Sequence, residues 1–191
     1  TFTINDTKFL LPVFSKAFIY NALVAYIIGH MFGVENEQIA QVFQEIKPEA
    51  HRMEKIDDHG ITILDDSYNA SYDSLFFALD VLSHFINRKV AVLGDIFELG
   101  DYSEQIHRNV GHLVCENQVD LLVTVGKEAQ LINEEAVKSG FEANKSFHFT
   151  SNEEACLFLH DALKENDVVL VKASHGMNFA GIVEYLVNER D

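Results

Sequence analysis

The spacing of apolar residues divides the chain into a short first part and a longer part in which strands and helices alternate. Alternating runs within residues 2–13 flank the turn-forming pair Asn5-Asp6 and predict a β-hairpin. Between residues 15 and 32, apolar side chains recur every three or four positions, and Gly33 follows as a helix stop. A second helix is predicted over residues 36–46, so the chain opens with a hairpin followed by a helical pair.

After Pro48 the pattern changes to that of an α/β domain. Strands are predicted at 53–56 and 61–64 on either side of a turn cluster, which indicates that the first runs antiparallel to the second. Further strands are predicted at 89–93, 121–125, around Phe147 and at 168–171, and helices at 71–85, 103–116, 127–139, 152–163 and 178–187. Strands that are apolar at every position are typical of sheets covered on both faces. The pattern therefore predicts a doubly wound, mostly parallel sheet from residue 48 to 191.

The composition of the chain indicates which binding partners and which cellular compartment to expect. Thirty acidic residues against fourteen basic ones give a formal charge of -16, a field that repels a phosphodiester backbone, so nucleic acid is not an expected partner. We also expect no signal peptide and no membrane-spanning segment. Cys115 and Cys156 lie among apolar residues at helical spacing, which predicts buried free thiols and a cytoplasmic location.

Several chemical signatures are missing from the sequence. It contains no G-x-x-x-x-G-K-[ST] phosphate loop, no G-x-G-x-x-G, no H-E-x-x-H or C-x-x-C, and no G-x-S-x-G. We therefore predict no metal site and no tight binding of a triphosphate by this chain alone.

The loops that follow the predicted strands carry the candidate chemistry, because ligands of doubly wound sheets collect at the carboxyl ends of the strands. Four segments resemble signatures of the Mur ligase family, in matching order and spacing from about Tyr20 to the end. They are Arg52-Met53-Glu54, Asp65-Asp66-Ser67-Tyr68-Asn69-Ala70, Val92-Leu93-Gly94-Asp95 with Glu98-Leu99-Gly100, and Lys172-Ala173-Ser174-His175-Gly176-Met177.

The resemblance is to family members that use ATP and Mg²⁺ to join D-alanyl-D-alanine to UDP-N-acetylmuramoyl-tripeptide. It implies that residues 1–47 are the end of a central ATP-binding domain whose P-loop is absent here. Residues 48–191 are then the Rossmann-like carboxy-terminal domain. In such enzymes the acceptor carboxylate is activated as an acyl phosphate and attacked by the dipeptide amine, so this portion alone is expected to be inactive.

For ATP, the resemblance implies contacts from Asn21 to adenine, from Arg52 to phosphate, from Asp66 to the ribose hydroxyls, and from Asn69. Each residue also has a structural interpretation. Asn21 can bond locally, Arg52 can form a surface salt bridge, Asp66 can make an Asx turn, and Asn69 can cap the helix that begins near Ser71.

For the dipeptide, the resemblance implies that Asp95 and Glu98 face the amine while Lys172, Ser174 and His175 face the carboxylate. We expect the N-terminus of the following helix to favour this anion. The alternatives are solvated loop charges and a plain strand-to-helix turn.

The sequence departs from the family pattern at four positions. Ala17 and Phe18 replace a His-Asn pair, His51 replaces a glycine, and His175 replaces an arginine. These departures motivate a second hypothesis, an inactive ligase-derived binding or scaffold domain. An intact or decayed phosphate loop upstream would distinguish the two.

Overall fold

The computed structural model describes residues 1–13, 16–47 and 49–189, with the exception of the Ala17 side chain. It forms two compact units, Thr1–Glu49 and Ala50–Asp191. The boundary predicted between residues 47 and 48 falls at Pro48, which lies outside the described residues.

The first unit consists of a hairpin and two helices, as predicted. Strands β1 (Phe2–Ile4) and β2 (Thr7–Phe9) pair antiparallel, and Asn5 and Asp6 adopt positive φ angles of 44° and 64°, as a tight two-residue turn requires. Helix α1 is Ala17–Met31 and α2 is Asn36–Glu45. Ser15, the predicted start of α1, lies outside the described residues. The small core is aromatic, and the Phe9 ring contacts those of Tyr26 and Phe43.

Helix α1 leaves one apolar face uncovered. Its residues are apolar almost all round the helix, yet among its described side chains only Ala22 and Tyr26 are buried in the small core of this unit. The exposed apolar face of α1 consists of Tyr20, Val24, Ile27, Ile28 and Met31, which are between 50% and 77% exposed.

The second unit is built on a six-stranded sheet. Its strands are β3 (Glu54–Asp58), β4 (Ile61–Asp65), β5 (Lys89–Gly94), β6 (Leu121–Val125), β7 (Ser146–Phe149) and β8 (Val168–Lys172). The order across the sheet is β3-β4-β8-β5-β6-β7. Strand β3 pairs antiparallel with β4 and all other pairings are parallel, which confirms the predicted edge hairpin and parallel sheet.

Five helices cover the sheet. They are α3 (Tyr72–Ser83), α4 (Ser103–Glu116), α5 (Gln130–Lys138), α6 (Asn152–Ala162) and α7 (Ala180–Asn188). Helix α4 contacts both α3 and α5, while α6 contacts α7. Strand β8 is reached only after β7 and inserts between β4 and β5, so the direction of winding reverses there. This is the doubly wound α/β arrangement, in which sites form at such a reversal.

Two helices begin later than the sequence predicts. Residues 127–129 form a turn before α5, whose first residue is Gln130 rather than Lys127. Before α7, His175–Met177 makes a 3₁₀ turn and Asn178 adopts a left-handed φ of 52°, so α7 starts at Ala180.

Candidate functional site

The carboxyl ends of β4, β8 and β5 bring three of the predicted loops together. The Asp66 amide donates to the carbonyl of Val171 (3.1 Å), which joins the loop after β4 to the end of β8. The Ser174 amide donates to the carbonyl of Asp95 (3.0 Å), which joins the loop after β8 to the loop after β5. The residues of loops 65–70, 94–100 and 172–177 therefore form one cluster at the winding reversal.

A buried ion pair lies at the centre of this cluster. Nζ of Lys172 donates to Oδ2 of Asp66 (2.6 Å) and to the carbonyl of Asn69 (2.8 Å). The other carboxylate oxygen of Asp66 accepts from the Met53 amide (3.0 Å). The side chain of Lys172 is 2% exposed and that of Asp66 is 16% exposed. Burial raises the pKa of Asp66 and lowers the pKa of Lys172, and each charge opposes the shift of the other.

The neighbouring carboxylate of Asp65 has different partners. It is 1% exposed, lies 2.7 Å from Nδ1 of His51, and accepts from the Ser67 amide (3.1 Å). Successive side chains of a strand point to opposite faces, which is why one aspartate of the pair is buried against His51 and the other is at the cluster. His51 adopts a φ of 62°, a left-handed conformation that suits the glycine of the family pattern.

Arg52 and His175 both approach the ring of Tyr68. The Arg52 guanidinium lies 4.0 Å from the ring centroid, within the range of a cation–π contact. The His175 ring centroid is 5.5 Å from that of Tyr68, and the side chain of His175 is exposed. These two predicted site residues thus meet at one aromatic side chain.

The side chain of Asn69 accepts hydrogen bonds from its own loop and from the loop after β8. Its Oδ1 accepts from the Ala70 amide (2.9 Å) and from the His175 amide (3.4 Å). The cap of α3 is Ser71, whose hydroxyl accepts from the Ser74 amide, so the interpretation of Asn69 as the helix cap was wrong. Its amide instead links the loops after β4 and β8.

Asp95 and Glu98 have different environments although both follow β5. Asp95 is 6% exposed and its Oδ1 accepts from the Ala129 amide at the start of α5 (2.7 Å). A Cβ at Gly126 would lie 2.5 Å from that oxygen, so only glycine allows this close approach. Glu98 is exposed, with a φ of 64°. Glu98 is therefore the more accessible carboxylate of the two.

Two buried side chains hold the loop after β5 in place. His107 is 0% exposed. Its Nε2 accepts from the Ile96 amide (3.0 Å), so Nδ1 carries the proton and donates to the carbonyl of Ser103 (2.8 Å). Ser174 Oγ accepts from the next amide, that of Phe97 (2.8 Å). Helical spacing in the sequence does not reveal the hydrogen bond between His107 and Ile96.

The expected helix N-terminus is displaced from the loop after β8. A 3₁₀ turn and the left-handed Asn178 separate His175 from Ala180, the first residue of α7. The helix was predicted to begin at Asn178 and begins at Ala180, because Asn178 adopts the positive φ that ends the turn. An anion beside His175 would meet side chains and loop amides instead.

The remaining expectations concern other parts of the chain. Asn21 lies in α1 of the first unit and is exposed. Within the described residues, no three His, Cys, Asp or Glu side chains come together as metal ligands. No helix of the described chain combines the length and apolar character needed to cross a membrane.

Residues 51–175 match the family model described as "Mur ligase, glutamate ligase domain". This chain belongs to the Mur ligase family. The match contains the loops after β4 and β5 and most of the loop after β8, so the resemblance of the four sequence segments is confirmed.

Several named ligases are similar to the chain over most of its length. It is 32% identical, over 97% of its length, to the UDP-N-acetylmuramoyl-tripeptide--D-alanyl-D-alanine ligase of Bacillus subtilis. A crystal structure of MurF from Acinetobacter baumannii is 29% identical over 92% of the chain, with a TM-score of 0.82. MurF from Thermotoga maritima in complex with ADP shares the fold, with 23% identity over 93% of the chain and a TM-score of 0.79.

These relatives are longer than the chain. It spans 42% of the Bacillus subtilis protein and 39% of each of the two crystallised chains, corresponding to a carboxy-terminal portion of such ligases.

Proposed function

We propose that the chain is part of an ATP-dependent ligase that joins D-alanyl-D-alanine to UDP-N-acetylmuramoyl-tripeptide. The convergence of the β4, β5 and β8 loops, with Asp66 at its centre, is the observation that carries the proposal. The name of the Bacillus subtilis relative, which matches 97% of the chain, supplies the substrates. That match does not favour an inactive scaffold. The two free cysteines support a cytoplasmic location.

On the nucleotide side, we assign Asn21, Arg52, Asp66 and Asn69. The partly exposed carboxylate of Asp66 retains lone pairs for ribose hydroxyls, since each oxygen has one protein donor. The contact with Tyr68 orients the guanidinium of Arg52, whose planar fork suits phosphate oxygens. Asn69 keeps the loop after β4 against His175, and Asn21 is assigned to adenine.

On the dipeptide side, we assign Asp95, Glu98, Ser174 and His175. The exposed Glu98 supplies negative charge for the amine, while the buried Asp95 fixes the loop against α5. Ser174 holds the Phe97 amide, and the exposed imidazole of His175 lies at the edge of the cluster, where a carboxylate could approach. Together they would orient the amine for attack and exclude water from the reacting groups.

ATP, when bound, supplies the phosphoryl group that activates the acceptor carboxylate. The Asp66 and Arg52 side chains fit a nucleoside and a phosphate, respectively. Mg²⁺ bound together with a nucleotide takes most of its ligands from phosphate oxygens and waters, and only one or two from protein carboxylates. We assign those carboxylates, like the phosphate loop, to the part of the enzyme outside this chain.

The test is turnover by the full-length protein. We expect release of ADP and formation of the pentapeptide product only when both UDP-N-acetylmuramoyl-tripeptide and D-alanyl-D-alanine are present. L-alanyl-L-alanine and single D-alanine serve as matched controls, and mass spectrometry identifies the product. Equal turnover with the L,L dipeptide, or none with the D,D dipeptide, would contradict the proposal.

The 191-residue chain alone is expected to fold without hydrolysing ATP, because it has no G-K-[ST] loop to hold the phosphates. ATP hydrolysis by the purified chain that is lost on Asp66→Asn would show that the site is complete without further residues.

A further inference from the structure

The ammonium of Lys172 is enclosed by protein acceptors and not directed to solvent. Its side chain is 2% exposed, and two of its three donors are used by Oδ2 of Asp66 (2.6 Å) and the carbonyl of Asn69 (2.8 Å). Both acceptors belong to the loop after β4. Lys172 therefore connects the end of β8 to the loop that carries the residues assigned to the nucleotide.

A substrate carboxylate would meet an obstacle at Lys172. The side chain of Lys172 is 2% exposed, so the third donor of Nζ is covered by protein. Taking over either of the other two donors would leave the buried Asp66 carboxylate or Asn69 carbonyl without its partner. The exposed His175 offers a carboxylate a partner without this cost. Lys172 binds one carboxylate oxygen of Asp66, and the Met53 amide binds the other.

We infer that Lys172 is a positioning residue for the nucleotide, which fixes the Asp66 carboxylate and the Asn69 carbonyl, and that it is not the counter-ion of the dipeptide carboxylate. This inference rests on the proposed ligase function. It changes the role that the sequence alone predicts for Lys172.

Steady-state kinetics of the full-length enzyme distinguish a role of Lys172 in nucleotide binding from a role in dipeptide binding. Lys172→Met keeps the aliphatic stem and removes the charge. We expect its KM for ATP to rise by roughly tenfold, the effect of one hydrogen bond to a charged group, and its KM for D-alanyl-D-alanine to stay within about twofold. Lys164→Met removes an exposed lysine before the other end of β8 and is the matched control.

A double-mutant cycle tests whether Lys172 acts through Asp66. If it does, adding Lys172→Met to Asp66→Asn should raise the KM for ATP little beyond either single change, because the two residues form one unit. The double variant also removes both charges together. It therefore carries the test if the single variant fails to fold because a buried charge is left unpaired.

A rise of more than about threefold in the KM for the dipeptide, or an unchanged affinity for nucleotide, would overturn the inference. A purely structural role would lower the melting temperature without separating the two KM values. Calorimetric titration with ADP measures the nucleotide effect without turnover. An enzyme that binds ADP but makes no product would thus contradict the proposed ligase function and still decide the role of Lys172.

Discussion

The hydroxyl of Ser174 is the acceptor of a loop amide, and a substitution there tests the loop directly. Ser174→Ala leaves the Phe97 N–H without its partner, so we expect the free energy of unfolding to fall by about 1 to 3 kcal/mol. Ser174→Thr keeps the hydroxyl and is the control. Urea denaturation measures the effect. Equal stability of the alanine variant and the native protein would mean that water replaces the serine.

At the residue scale, sequence reasoning found the cluster but not its internal pairing. The strand-to-loop positions of Asp66, Lys172 and Asp95 follow from periodicity and from the family resemblance. Their partners lie far away in sequence, as in the bond between Lys172 and Asp66, 106 residues apart. Local patterns carry no information about such pairs, and the link between His107 and Ile96 was missed for the same reason.

At the scale of an element, the start of α6 depends on its first polar residues. Ser151 accepts from the Glu154 amide, while the Glu154 carboxylate accepts from the amide and hydroxyl of Thr150. In a capping box the glutamate would accept from the amide of the cap residue itself, whereas Glu154 accepts from the residue before the cap. We expect Ser151→Ala to cost about 1 kcal/mol of stability, and Ser151→Asp, which can still cap, to cost less. Thermal unfolding monitored by circular dichroism compares the two variants, and equal losses would contradict the role of the cap.

The bonds to Thr150 lower the pKa of Glu154. This contribution to stability is present above the ordinary glutamate pKa and is lost as pH falls through the lowered value.

Element boundaries show which information the sequence lacks. Helix α4 and strand β6 have the predicted limits, because their apolar patterns end where the elements end. Helix α5 begins late because the Ala129 amide is bound by Asp95, a residue distant in sequence. Helix α7 begins late because Asn178 adopts a left-handed φ. Hydrophobic periodicity indicates neither feature.

At the scale of the whole molecule, His148 links the stability of the second unit to pH. Burial lowers the pKa of its imidazole, against the opposing charges of Asp95 and Glu134. The unfolded chain then binds a proton near pH ~6.5 that the folded chain still excludes. Stability is retained above that pH and lost as pH falls below it. We expect the melting temperature to fall from pH 7 to 5.5 and His148→Gln to reduce this fall. Identical pH profiles of the melting temperature for the native protein and the variant would mean that another group causes the pH dependence.

The exposed apolar face of α1 has a consequence for how concentrated solutions of the 191-residue chain behave. Five large apolar side chains on one helix form an exposed apolar patch that can associate with a second copy of the chain. The chain is otherwise strongly acidic, so electrostatic repulsion between copies should keep them apart at low salt. Adding salt screens that repulsion and leaves the patch free to make contacts. Light scattering should therefore rise with salt and protein concentration. Ile27→Glu should suppress the rise, whereas Leu157→Glu, at a similarly exposed apolar residue of α6, should not. The apparent solubility of this chain would then be set by one helix and by the ionic strength of the buffer.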